Sequence, residues 1–289
     1  MSNILFVTPG PIKWVSSRMR AHWIAERIEG AEVMQSDKKH LSKGWDAVVF
    51  VKVIEEPMII NALQGLGTKV FWDICDPVHW FNPQEAREMA DAVDDITASN
   101  KNLALDFFDW YENKEPLTIP DCIKLEHYPR QREHQEVDTV RFIWFGASQN
   151  RFSLFGAFAP LERLACNGVN ISLTIYDDRP HEQNIQSNKF PVYYANWDLE
   201  QENAVLASHD IALLPPYPGP WGKVKSNNKE LTAYANGLAV TDGVNYTKMH
   251  ELANYYSFRK ANAEQGLDYV KTHHPIVNAV EMWKELLCA

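Results

Sequence analysis

The sequence predicts an α/β protein of two Rossmann-like, doubly wound parallel-sheet domains facing a central cleft. Three observations carry this. Short continuous apolar runs alternate with helix-period segments, the pattern of strands covered on both faces by helices. A polar break interrupts the rhythm near the middle, after which it restarts. The 289 residues suffice for two medium domains.

In the first half, Ile4-Leu5-Phe6-Val7 is an apolar strand closed by Thr8-Pro9-Gly10-Pro11. From Ser17, Met19, Trp23, Ile24 and Ile28 recur at helical spacing. Ala31–Met34, Ala47–Val51 and Lys69–Trp72 are further strands, with a helix from Pro57 to Leu66 before the last. Asp95–Ser99 adds a strand and Asn102–Tyr111 a helix. The segment "YPRQREHQEVD", Tyr128 to Asp138, is charged and poor in apolar residues, and reads as a linker. Beyond it come strands at Arg141–Phe145, Ile171–Tyr176, Val192–Tyr194 and Ile211–Leu214, with helices at Phe155–Cys166 and Leu199–Ser208. The expected domains are therefore 1–130 and 139–289, with the last helix free to pack back on the first.

Composition narrows the class. A hydrophobic fraction of 45% and a charged fraction of 23% are those of an ordinary globular protein. The opening MSNILFVTPG has neither a basic n-region nor a small-residue cleavage site, and no apolar run has bilayer length. Cys75, Cys122, Cys166 and Cys288 are far apart, which suits reduced thiols in a cytoplasm rather than a disulfide framework or zinc site. The net charge of −10 weighs against a broad nucleic-acid surface. HExxH, GxSxG and GxxxxGK[ST] are all absent, and Gly10 alone is no dinucleotide fingerprint.

The most informative stretch is "KVKSNNKELTAYANGLAVT", Lys223 to Thr241. Ser226, Asn227 and Asn228 offer N-cap chemistry, and Gly237 a helix stop. A helix N-terminus carries unpaired N–H groups and partial positive charge, to which Lys223, Lys225 and Lys229 add full charges. A pyrophosphate site accounts for that crowding; an ordinary solvated helix start is the other reading. Before it, "PPYPGPWG" is a stiff loop following an apolar strand.

Here the chain resembles the GT-B glycosyltransferases. "DIALLPPYPGPWGKVKSNNKELTAYANGLAVTDG" looks like their C-terminal nucleotide-sugar signature, with Asp210, Pro215, Asn228, Lys229, Ala233, Ala235, Gly237 and Val240 at matching places. "ITASN" resembles the last strand of their N-terminal domain, and "IWFGASQNR" the first strand and loop of the C-terminal one. Two positions depart: Thr232 stands where many retaining members have a ribose-holding glutamate, and Ala239 replaces the proline of the last turn. The resemblance implies sugar transfer from a nucleoside diphosphate donor such as a UDP-sugar to a hydroxyl acceptor, with retention. It implies no cofactor and no required metal, since fixed charge would hold the phosphates.

Further site candidates follow from both lines. "WDICDPVHWF" places Asp73, Asp76 and His79 at a strand end, as general base (Asp76 first, His79 second), acceptor clamp, half a metal site or simple turn formers. The loop with Gly10, followed by Ser16, Ser17, Arg18 and Arg20 at the helix start, resembles the acceptor-facing loop of GT-B enzymes; simple N-capping with surface arginines is the other reading. Gly146 and Arg151 flank the first loop of the second half, where by resemblance Arg151 reaches the distal phosphate. Trp197 and Asp198 lie by resemblance near the nucleobase, with plain packing as the alternative for the indole. The acceptor is a glycan by default. A phage-type enzyme acting on hydroxymethylated DNA bases, a nucleotide-sugar epimerase and a non-catalytic binding protein are the alternatives.

Overall fold

The computed structural model describes residues 3–36 and 44–288. The chain divides into two compact units. The first comprises residues 1–122, 219–226 and 274–289, and the second residues 123–218 and 227–273.

The first unit is built on six parallel strands: β1 (Ile4–Thr8), β2 (Ala31–Gln35), β3 (Ala47–Val51), β4 (Lys69–Ile74), β5 (Asp95–Ala98) and β6 (Leu117–Thr118). Their order is β2-β1-β3-β4-β5-β6. The chain moves outward from β1 to β2 and then returns to the other side of β1, so the winding reverses between β1 and β3. Helices α1 (Val15–Ser17) and α2 (Trp23–Ala25) flank a π-helical turn, Arg18–His22, where the sequence pattern predicts one continuous helix. That wide turn buries Arg18, Met19, Arg20 and Ala21 together. Helices α3 (Pro57–Gly65), α4 (Pro83–Ala92) and α5 (Lys101–Trp110) follow. β3 is buried throughout, and Val48, Phe50, Val70, Trp72 and Ile74 form one core with Leu103 and Phe107 of α5.

The second unit has five parallel strands: β7 (Val140–Phe145), β8 (Ile171–Asp177), β9 (Val192–Asn196), β10 (Ile211–Leu213) and β11 (Ala239–Thr241). They lie in the order β11-β10-β7-β8-β9, the dinucleotide-fold order in which the winding reverses between the first strand and the fourth. Helices α6 (Phe155–Cys166) and α7 (Glu202–Ala207) belong to this unit. Helix α8 (Pro220–Val224) belongs to the first unit, and α9 (Asn228–Ala235), α10 (Tyr246–Asn254) and α11 (Tyr256–His273) to the second. The last helix, α12 (Ile276–Cys288), falls in the first unit, where Trp283 meets Phe6 of β1 edge-on at 5.6 Å.

The polar strip after Tyr128 is fixed to the second unit. The Arg130 backbone bonds the Asn203 amide in both directions, the Arg132 N–H donates to the Asn236 carbonyl at 2.8 Å, and His134 Nε2 donates to the Gly237 carbonyl at 2.9 Å. Gly237 is in the left-handed region (φ 71°) and closes α9 in a Schellman turn: its N–H donates to Tyr234 and that of Leu238 to Ala233. A Cβ there would stand 2.9 Å from the Arg132 nitrogen, so glycine serves both the turn and the close approach of the strip.

Candidate functional site

In open parallel sheets, ligands bind beyond the carboxyl ends of the strands where the winding reverses. In the second unit that place lies beyond β7 and β10. Gly146 follows β7 directly, and Tyr217 lies in the loop after β10. Lys229, in the first turn of α9, comes between them. Its Nζ is 4.9 Å from the Trp144 ring centre and 5.6 Å from that of Tyr217, and it donates to the Tyr217 hydroxyl at 3.3 Å. Gly146 makes the room: a methyl group there would stand 2.5 Å from Nζ, and its φ of 147° also disfavours other residues. The sequence singled out Gly146 and Lys229, and the fold joins them. It adds Trp144 and Tyr217, which only the tertiary structure brings in.

The start of α9 differs from the expected cap. Asn227 occupies the N-cap position, but its side chain makes no capping bond. Asn228 opens the helix, and Thr232 is buried one turn in.

Arg151 is not a phosphate ligand in this arrangement. It is buried, and its five N–H donors are committed: two to the Asp177 carboxylate, two to the Arg179 and Glu182 carbonyls, and one to Asn184 Oδ1 at 3.3 Å. Its partner Asp177 is fully buried at the end of β8. Trp197 is half-buried against the cluster of Tyr176, Leu206 and Leu238, and its indole N–H donates to Glu202 Oε1 at 3.0 Å. Asp198 caps the following turn by accepting from the Glu200 and Gln201 N–H groups.

Lys223, Lys225 and Ser226 fall in the first unit. The Lys223 side chain is exposed and its carbonyl accepts from Asn102 at 3.0 Å; Asn100 likewise holds the Val224 carbonyl at 3.0 Å. Lys225 Nζ bonds Asp76 Oδ1 at 2.6 Å, while Lys52 pairs with Oδ2. Burial pushes the Asp76 carboxyl up, but the two ammonium groups outweigh it and hold it below the usual carboxylate range. A carboxylate so stabilised is a weaker base than a free one.

His79 lies in an aromatic box, 5.1 Å from Phe107 and 5.1 Å from Trp110 between ring centres, and its Nε2 bonds Asp106 at 2.9 Å. Burial lowers its pKa despite the carboxylate. The ring is 2% exposed, so it too is enclosed.

Asp73 is also corrected. It is fully buried, gripped by the Arg20 guanidinium and by the Thr97 hydroxyl at 2.6 Å, so it holds β4 to the π turn rather than facing an acceptor. Arg18 is likewise buried, its guanidinium 5.7 Å from the Trp23 ring, and is not a surface cation. Ser17 is buried and Ser16 half-buried, and Gly10 stands against the Trp14 ring. Among the described residues, no group of three or more His, Cys, Asp or Glu side chains is placed to hold a metal ion, and no helix is long and apolar enough to cross a membrane.

Neither a protein-family model nor a curated protein matches the sequence. Solved structures do match the fold. Anabaena HepE in complex with UDP and glucose is 10% identical, with a TM-score of 0.67 over 100% of both chains. An alpha-glucosyltransferase in complex with UDP and a 13-mer DNA containing an HMU base is 10% identical, with a TM-score of 0.68 over 99% of this chain and 98% of that one. The α,α-trehalose 6-phosphate synthase of Burkholderia multivorans is 10% identical, with a TM-score of 0.61 over 99% and 98%. At this identity the likeness concerns the fold, and it bears out the two-sheet GT-B architecture expected from the sequence.

Proposed function

We propose that the chain is a glycosyltransferase that moves a sugar, with retention, from a UDP-sugar to a hydroxyl acceptor. The observation that carries this reading is Lys229, set between Gly146, Trp144 and Tyr217 where the second sheet reverses its winding. As the donor's glycosidic bond breaks, negative charge grows on the departing diphosphate. A fixed ammonium group at the N-terminus of α9 stabilises that charge in the transition state, adding to the partial positive charge of the helix. No metal is needed for that step in this reading. The fold relatives support the donor class, since HepE and the alpha-glucosyltransferase were each solved with UDP. Acceptor binding falls to the first unit.

The acceptor in this reading is a glycan. A DNA base carrying a hydroxymethyl group is a second reading, favoured by the alpha-glucosyltransferase, which matches over nearly its whole length. The net charge of −10 weighs against it.

Thermal-shift measurements with UDP and UDP-sugars test the donor assignment. A ligand at a hundred times its Kd should add about 2.7 kcal/mol of stability. Transfer assays with glycan and with hydroxymethylated DNA then separate the acceptors. Stabilisation by neither UDP nor any UDP-sugar would sink the reading.

A further inference from the structure

Between β10 and α9 the chain joins the first unit for residues 219–226 alone and then returns to the second. The two ends of this excursion meet at the proposed donor site. Tyr217 precedes it, Lys229 follows it, and the Lys229 ammonium group donates to the Tyr217 hydroxyl at 3.3 Å. What holds the excursion therefore bears on what its ends can do.

Its helix, α8, has five residues, too few to be stable alone. The first unit supplies what it lacks. Val224 is buried in the core shared by β4 and α5. Lys223 and Val224 end the helix, and a helix end leaves its last carbonyls without partners in a next turn. The Asn102 amide donates to the Lys223 carbonyl at 3.0 Å, and the Asn100 amide to that of Val224 at 3.0 Å. Asn100 is also the N-cap of α5, where its oxygen accepts from the Leu103 N–H at 2.9 Å. One amide thus caps two helices, α5 through its oxygen and α8 through its nitrogen.

Beyond α8, Lys225 bonds Asp76 at 2.6 Å and the Asp121 carboxylate accepts from the Ser226 hydroxyl. The N-cap residue of α9, Asn227, makes no side-chain capping bond, so the start of that helix is held in part by the residues before it. Asp76 also pairs with Lys52, which follows β3 directly and, among the described residues, is the one non-glycine residue with positive φ, at 57°. The Lys52 ammonium group meets the carboxylate rather than the excursion, which makes it a control.

We infer that Asn100 and Asn102 are positioning residues for the donor site: by holding the last carbonyls of α8 they fix the chain just ahead of α9 and preorganise Lys229 for the diphosphate. The donor role rests on the glycosyltransferase reading above; the hold on α9 does not. Linkage is reciprocal, so UDP must in turn steady α8.

Calorimetry with UDP and hydrogen exchange, both on the whole chain, test this. Asn100→Ser keeps the cap of α5, since serine caps as well as asparagine, and loses the bond to Val224. Asn102→Ala loses the bond to Lys223. Each should weaken UDP binding roughly two- to fivefold, up to the worth of one hydrogen bond. A merely structural role would lower the melting temperature and leave UDP affinity alone. Lys52→Gly should bind UDP as the parent does, because glycine adopts the left-handed backbone freely. In the parent, saturating UDP should slow exchange of the Lys225 N–H, which donates to the Trp221 carbonyl at 3.0 Å. Undiminished UDP binding by both asparagine variants overturns the inference and leaves the proposed function standing. So does a loss no larger than that of Lys52→Gly, or exchange at Lys225 indifferent to UDP. If the parent binds no UDP, the glycosyltransferase reading falls and exchange of the Leu231 N–H, bonded to the Asn227 carbonyl at 3.0 Å, decides the rest. Faster exchange there in both variants upholds the hold on α9 and removes its donor role; unchanged exchange overturns it.

Discussion

Both units place a lysine where their sheets reverse winding, but the two lysines are held differently. Lys52 and its neighbour Lys225 share the buried carboxylate of Asp76. Lys229 rests on the faces of Trp144 and Tyr217 and on a phenol hydroxyl. A carboxylate cancels part of the charge that it attracts. Ring faces and a hydroxyl carry no net charge, and those contacts position an ammonium group.

Each unit also holds a buried arginine–aspartate pair, Arg20–Asp73 in the first and Arg151–Asp177 in the second. Breaking either is the largest effect expected. Arg151→Ala would strand a fully buried Asp177, at a cost of about 3–5 kcal/mol, and Arg20→Ala would do the same to Asp73. Urea denaturation measures both. A loss under 1 kcal/mol would mean that the carboxylates find other partners, and the likeness between the two units would end there.

Lys229→Ala is expected to weaken UDP binding by roughly 1.5–3 kcal/mol, tenfold or more. It should leave the unliganded fold as stable or slightly more stable, since a cation in the first turn opposes the helix dipole by about 0.3–1 kcal/mol. Gly146→Ala should weaken UDP binding too, because its methyl group would displace the ammonium. Undiminished UDP binding by Gly146→Ala would show that the position of Nζ is unimportant.

The smallest effect concerns pH. Burial depresses the pKa of His79 in the first unit and of His134 and His209 in the second. A group with a depressed folded pKa contributes stability above its unfolded value, here 6.5, and that contribution is lost as pH falls below it. Melting temperature should therefore decline from pH 7 toward pH 5. Asp76, also depressed, adds a loss only below the usual carboxylate value of 3.8. A flat profile between pH 7 and 5 would contradict the burial of these rings.

The fold was largely legible because its signal is local. The apolar runs at Ile4, Ala47, Arg141, Ile171 and Ile211 each became a strand, and Gly237 ended its helix. The edge strand at Leu117–Thr118 escaped notice, having two residues and no buried face to leave a pattern. The sites were legible only in part. Lys229 and Gly146 stood out through lysine crowding and a glycine after a strand. Arg20 with Asp73 and Lys225 with Asp76 pair across 53 and 149 residues, and no spacing rule reaches that far. Arg151, placed at the distal phosphate by resemblance, is instead held by Asp177 and two carbonyls from another loop, which its own segment does not foretell. Lys52 gave no signal, since its left-handed backbone is set by the sheet and by Asp76.

The most direct test of the account is UDP calorimetry on Lys229→Ala and Lys52→Gly side by side with the parent. The account predicts at least a tenfold loss for Lys229→Ala and no change for Lys52→Gly. Equal UDP affinity in Lys229→Ala and the parent, or a greater loss in Lys52→Gly, would contradict it.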